Sequence, residues 1–319
     1  MTSVAEIERR LTELRHEAAG EHPGTRTNVV ELVVWCGTAA VADEAAAAIS
    51  GLSANRPSRA IVLQPADAAE VRSEESVFCA LPPDGSGPGG GLVCSEVVRL
   101  HGPSDTGALA AMTRSLLLPD LPLFVLWLDE PPFDGPVARG LMRSCSRLVV
   151  DSTRFAGTIE ALAGMIGDDP PSVSDLSWTK ITGWREVVAR LFDPPDHHAL
   201  LPRIERIRIE HVEGSPAQAR LLGGWLVARA AHGAAVETVA VERADMKAGS
   251  LVSVRLTAGD VELAVERPEE GVAVVTSPGL PQQRLALRVP PFEKLLGDEL
   301  EVLARDRVFE AAVEACAGW

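Results

Sequence analysis

The chain has 319 residues and no apolar run long enough to cross a membrane. The strongly apolar stretch Leu116 to Trp127 is broken by Pro119, Asp120 and Pro122, so it falls short of the roughly 20 unbroken apolar residues that a span needs. Positive charge is also scarce. A formal net charge of -15 argues against nucleic acid, because a protein that tracks phosphates needs a concentrated basic stripe. A basic or metabolite-bearing protein partner stays open. The opening MTSVAEIERRLTELRHEAAG mixes charge with apolar positions and lacks a continuous apolar core, so no signal peptide and a cytoplasmic location are expected.

Motifs for chemistry are missing as well. The five cysteines (Cys36, Cys79, Cys94, Cys145, Cys316) include no C-x-x-C pair and no histidine at ligand spacing, so no metal site is expected and reduced, buried thiols are the simplest reading. Cys79 and Cys94 are the exception to watch. They flank a Gly-rich stretch, Gly85 to Gly91, and could face each other across a hairpin as a redox pair. That stretch leads into LVCSEVVRL, a strand, whereas phosphate loops open a helix. No G-x-G-x-x-G opens a βα unit and no GKS or GKT follows, so no nucleotide cofactor is expected. There is no G-x-S-x-G elbow, and the seven histidines show no base-and-orienter arrangement. His197-His198 reads as a solvated loop pair.

What is present is alternation of strands and helices. Ser3 with Glu6 forms a capping-box pattern for a helix over residues 1–19, and Val4, Ile7, Leu11 and Leu14 make a narrow stripe. The stripe suits packing on its own domain, or docking on a partner or a second copy. After a linker to residue 27, short β-rich runs such as LFVLW (Leu123 to Trp127) and LVV (Leu148 to Val150) read as strands covered on both faces. The expected class is α/β. Residues 28–192 form a Rossmann-like domain with an antiparallel addition, 193–203 a linker, and 204–319 a smaller α+β domain with a hairpin turn at Ala258-Gly259-Asp260.

Two segments stand out, Leu116 to Phe133 (LLLPDLPLFVLWLDEPPF) and Asp175 to Asp193 (DLSWTKITGWREVVARLFD). The first reads as a helix end, a Pro-Asp-Leu-Pro turn and a buried strand. In the second, Ile181, Trp184, Val188, Leu191 and Phe192 recur at helical spacing, Thr182 is an N-cap candidate, and Asp193-Pro194-Pro195 stops the helix. With RLVVDS at Arg147 to Ser152, these segments resemble the glucose-6-phosphate dehydrogenase assembly family, known as OpcA. The likeness spans nearly the whole chain after residue 24. It departs where family members often carry two adjacent tryptophans and this chain has Leu126 and Trp127.

The resemblance implies a non-catalytic accessory protein that binds glucose-6-phosphate dehydrogenase, promotes its active oligomer and raises its activity, with no cofactor of its own. Motif or partner-contact residues expected on that basis are Asp120, Pro122, Trp127, Trp178, Thr179, Trp184 and Arg185, since Trp and Arg are enriched at interface hot spots. Core packing is the default role for the tryptophans, since an indole buries a large area in any domain. The competing function is an α/β enzyme or sensor that binds a sugar phosphate or nucleotide at the strand ends near Asp129 and Asp151. In that region Asp151 or Ser152 could equally cap the next helix.

Overall fold

A computed structural model describes the chain except for residues 1, 21–23, 26–27, 67, 83–90, 104–106, 131–135, 156 and 168–170. Along it run α1 (Val4–Ala19), β1 (Gly24–Thr25), β2 (Val30–Trp35), α2 (Ala39–Gly51), β3 (Ser58–Pro65), β4 (Arg72–Ala80), β5 (Leu92–Gly102), α3 (Ala108–Leu116), β6 (Leu123–Trp127), α4 (Pro136–Met142), β7 (Arg147–Val150) and α5 (Thr158–Met165). There follow β8 (Ser172–Asp175), α6 (Leu176–Lys180), α7 (Thr182–Arg190), α8 (Pro195–His198), β9 (Arg206–Val212), α9 (Ala217–Arg229), β10 (Ala235–Val241), β11 (Leu251–Ala258), β12 (Val261–Glu269), β13 (Gly271–Thr276), β14 (Gln283–Leu287), α10 (Phe292–Glu301) and α11 (Arg307–Cys316). The residues divide into two compact units. One holds 1–150, 168–172 and 292–304; the other holds 151–167, 173–291 and 305–319.

In the first unit the sheet order is β1-β5-β3-β2-β6-β7, with β4 paired to β5 off that path. The ladders β2–β3, β2–β6, β3–β5 and β6–β7 are parallel, and β4–β5 is antiparallel. All of β2, β6 and β7 is buried, as strands covered on both faces must be. Helix α1 has the expected capping box. It packs on its own unit: Ile7 and Leu11 are buried, and Glu8 reaches the buried Arg59, whose Nη1 donates at 2.6 Å. The same guanidinium donates from Nε to Glu96 at 2.8 Å, and Arg15 closes on Glu96 at 3.0 Å. Two buried charges are tolerated because each finds a partner. Arg147 on β7 ties α10 into this unit by donating to Glu299 at 2.9 Å and to the carbonyl of Ala304 at 3.0 Å.

The second unit is built on a six-stranded sheet, β10-β9-β11-β12-β13-β14. The β9–β10 pair is parallel and is joined through α9; every other pair is antiparallel. Ala258 pairs with Val261 across Gly259-Asp260, the expected two-residue turn. Strand β9 alternates buried Ile207 and Ile209 with the more open Arg208 and Glu210, the period of a sheet with one packed face. Helices α9 and α11 pack closely because Gly224 has no Cβ; one placed there would meet the backbone carbonyl of Ala312.

The α/β class and the Rossmann-like first sheet agree with the expectation from sequence, and several local features differ. The Asp175 to Asp193 segment forms two helices broken at the fully buried Ile181, so Thr182 begins α7 and Ile181 holds the cap position without a side-chain bond. The expected linker contains α8, opened by Pro194-Pro195, and His197 is buried with Nδ1 2.6 Å from the Leu191 carbonyl. The unit division also departs from the expected 193–203 boundary, since 173–192 lies in the second unit and 292–304 in the first. Most of the Gly-rich stretch lies outside the described residues.

Candidate functional site

Each tryptophan-bearing motif is built within its own unit. In the first, the turn before β6 is anchored at both ends: the N–H of Leu118 donates to the carboxylate of Glu31, and the N–H of Glu31 donates to the carbonyl of Pro122 at 3.0 Å. Asp120 takes φ 71°, the one positive φ at a non-glycine residue among the described residues. Aspartate tolerates that left-handed conformation better than most side chains. Pro119 and Asp120 are exposed and Pro122 is partly so. Trp127, seven residues on, is 3% exposed.

In the second unit Trp178 and Trp184 are 4% and 2% exposed, and both serve the core. Trp178 Nε1 donates to Asp306 at 2.8 Å. Asp306 caps α11 with its other oxygen, accepting from the N–H of Val308 and of Phe309. The indole packs on Phe309 with ring centroids 5.7 Å apart, and the Arg185 guanidinium lies 3.6 Å from its centroid, a cation–π contact. Burial pulls the pKa of Arg185 down to about 10, against the pull of Asp306, so it stays charged at neutral pH. Thr179 is half-buried on α6.

Beside this lies a polar cluster that joins Asp151 and Ser152 to Asp175, a link the sequence reading did not make. Asp175 caps α6 through the N–H of Ser177 at 2.8 Å and accepts from the N–H of Ser152 at 3.2 Å, while Ser152 and Ser177 share a 2.9 Å hydroxyl bond. Its Oδ2 is buried without a partner. Burial, with Asp151 adding repulsion, raises its pKa to about 6. Asp151 takes the opposite course. Burial disfavours its charge, yet Lys180 at 3.0 Å, the hydroxyl of Thr153 and Arg154 at 3.2 Å outweigh it and lower its pKa. The D-x-x-x-x-K spacing from Asp175 to Lys180 was the available signal: a capping carboxylate followed by a cation one turn on.

Two expected ligand contacts have other uses here. Asp151 and Ser152 do not cap α5, whose cap is Gly157. Asp129 accepts from the N–H of Gly37 at 2.8 Å, in the turn from β2 to α2. Cys79 and Cys94 stand opposite each other in the β4–β5 ladder and are joined by a disulfide, with Cα atoms 4.0 Å apart. Cys36, Cys145 and Cys316 are free and buried. Among the described residues no cluster of His, Cys, Asp and Glu could hold a metal, and no helix is long and apolar enough to cross a membrane.

The fold and these clusters define an α/β protein with a Rossmann-like first sheet whose motif residues are tied into structure. An oxidoreductase from Sinorhizobium meliloti shares the fold, with TM-score 0.50 and 10% identity over 92% of this chain and 89% of its own. The family described as glucose-6-phosphate dehydrogenase subunit N-terminal domain matches residues 46–166, and its C-terminal domain counterpart matches residues 171–313. The chain belongs to this OpcA family. Two cyanobacterial relatives carry the name "Putative OxPP cycle protein OpcA". The one from Synechocystis is 28% identical over 56% of this chain and 38% of its own length; the one from Nostoc punctiforme is 29% identical over 69% and 46%. The matches thus span less than half the length of these relatives.

Proposed function

We propose that this chain is a non-catalytic accessory protein that binds glucose-6-phosphate dehydrogenase, favours its active oligomer and raises its activity. The observation that carries the reading is the match of both family domains, together covering residues 46–166 and 171–313. The geometry supports a scaffold role for the tryptophans: Trp127, Trp178 and Trp184 are buried, while the Pro119-Asp120 turn is exposed and open to a partner. An effector protein acts by binding the competent form of its partner more tightly than the other form. Coupling of this kind is typically about 1 to 3 kcal/mol, or roughly 5- to 150-fold in affinity.

The reading predicts a complex. Sedimentation velocity of the cognate dehydrogenase with and without this protein should show a faster species containing both chains and a shift of the enzyme towards its larger oligomer. Unchanged sedimentation of both proteins at micromolar concentration would reject it.

A further inference from the structure

The unusual cation of the second unit is Arg267 on β12. It is 5% exposed, and its Nε is buried without a hydrogen-bond partner. The other buried arginines among the described residues, Arg59 and Arg147, each hold a carboxylate at 2.7 Å and 2.9 Å. Arg267 has no such partner. Asp245, the acid beside it, is taken by Arg243 in a two-point pair, Nε to Oδ1 at 2.8 Å and Nη2 to Oδ2 at 2.7 Å. Arg243 also donates to the carbonyl of Pro268 at 2.8 Å, which brings a second guanidinium to the residue after Arg267. The charges that act on Arg267 are Glu270, Arg243 and Asp245, and burial outweighs each of them in disfavouring its cation.

The backbone around it is irregular on both sides. The β12–β13 ladder shifts register between Glu266 and Glu269, the interval that contains Arg267, and the β9–β11 ladder shifts between Leu251 and Ser253. Such bulges re-aim side chains and recur beside sites. A buried cation without a counter-charge is costly, and the guanidinium fork matches two oxygens of one carboxylate or phosphate.

We propose that Arg267, with Arg243 beside it, forms a binding site for a small oxyanion, a phosphate or carboxylate group, in the second unit. The carboxylates of Glu270 and Asp245, whose charges act on it, disfavour a polyanion. The site is independent of the dehydrogenase reading and stands or falls separately from it.

The test is thermal unfolding of the full chain at constant ionic strength, titrated with inorganic phosphate and, separately, with acetate, each against chloride. At several times its Kd, at least one of the two probes should raise the melting temperature saturably by roughly 2 to 4 °C. A response to phosphate alone identifies a phosphate site, and one to acetate alone a carboxylate site. Arg267→Met keeps the stem's apolar volume and removes the unpaired charge. It should abolish the response and melt no lower than the wild type without added anion. Arg267→Lys keeps the charge without the fork and should respond more weakly than wild type, which preserves the test if the Met variant does not fold. No rise over chloride with either probe, or an undiminished rise in a folded variant, would overturn the proposal.

Discussion

The Pro119-to-Trp127 turn and the Asp175-to-Arg190 helices both look like recognition motifs in sequence, yet of their candidate contact residues only Asp120, in the first, is fully exposed. The turn holds Pro119 and Asp120 outward and sinks Trp127 into β6. The helical segment turns its tryptophans inward and spends its polar groups on caps and pairs within its own unit. Rare residues at fixed spacing therefore mark geometry that must be kept, and burial decides whether that geometry is a surface or a core.

Breaking the buried segment should have the largest effect. Trp178→Ala removes a buried indole, its bond to Asp306 and the platform under Arg185, and should cost about 3 to 5 kcal/mol, read as loss of the second unit's transition in urea with circular dichroism. A variant as stable as wild type would mean the indole is not part of the core.

A pH series on Asp175→Asn sharpens the comparison. Asp175 has a folded pKa of about 6, above the ordinary aspartate value of 3.8. The folded state therefore holds its proton more tightly, and that contribution is present below about pH 4 and lost as pH rises through about 6. Asparagine keeps the accepting oxygen but does not titrate. Between pH 4 and 7 the variant should gain on the wild type by up to about 3 kcal/mol, measured as the difference in unfolding midpoint. A difference that does not change with pH would show that the carboxylate titrates normally.

The exposed turn should respond least in stability and most in function. Asp120→Gly suits the φ of 71° and should shift stability by no more than about 1 kcal/mol, while weakening binding of the dehydrogenase in a sedimentation titration. Undiminished binding would move the contact surface elsewhere.

Much of the architecture was legible in the chain. LFVLW and LVV gave buried strands, Ser3 with Glu6 gave the start of α1, and Gly259-Asp260 gave a hairpin, because each depends on neighbouring residues. What was not legible depends on distant partners. Arg59 sits at the start of β3, where a buried charge argues against a strand, until Glu8 and Glu96 reach it. The break at the fully buried Ile181 and the burial of His197, in a segment rich in proline and charge, carry no local signal. The segment 292–304 joins the first unit, where Glu299 meets Arg147 from 152 positions away. At the candidate site the motif residues were found, but their roles were not: spacing located Trp178 and Arg185, while only packing shows that they bind each other.

The most direct test is the steady-state rate of the cognate glucose-6-phosphate dehydrogenase at low glucose 6-phosphate, titrated with this protein and compared with each protein alone. Saturable activation of the enzyme, with no turnover by this chain, is the expected result. Turnover by this chain alone, or an enzyme rate unchanged at saturating concentrations of it, would contradict the account.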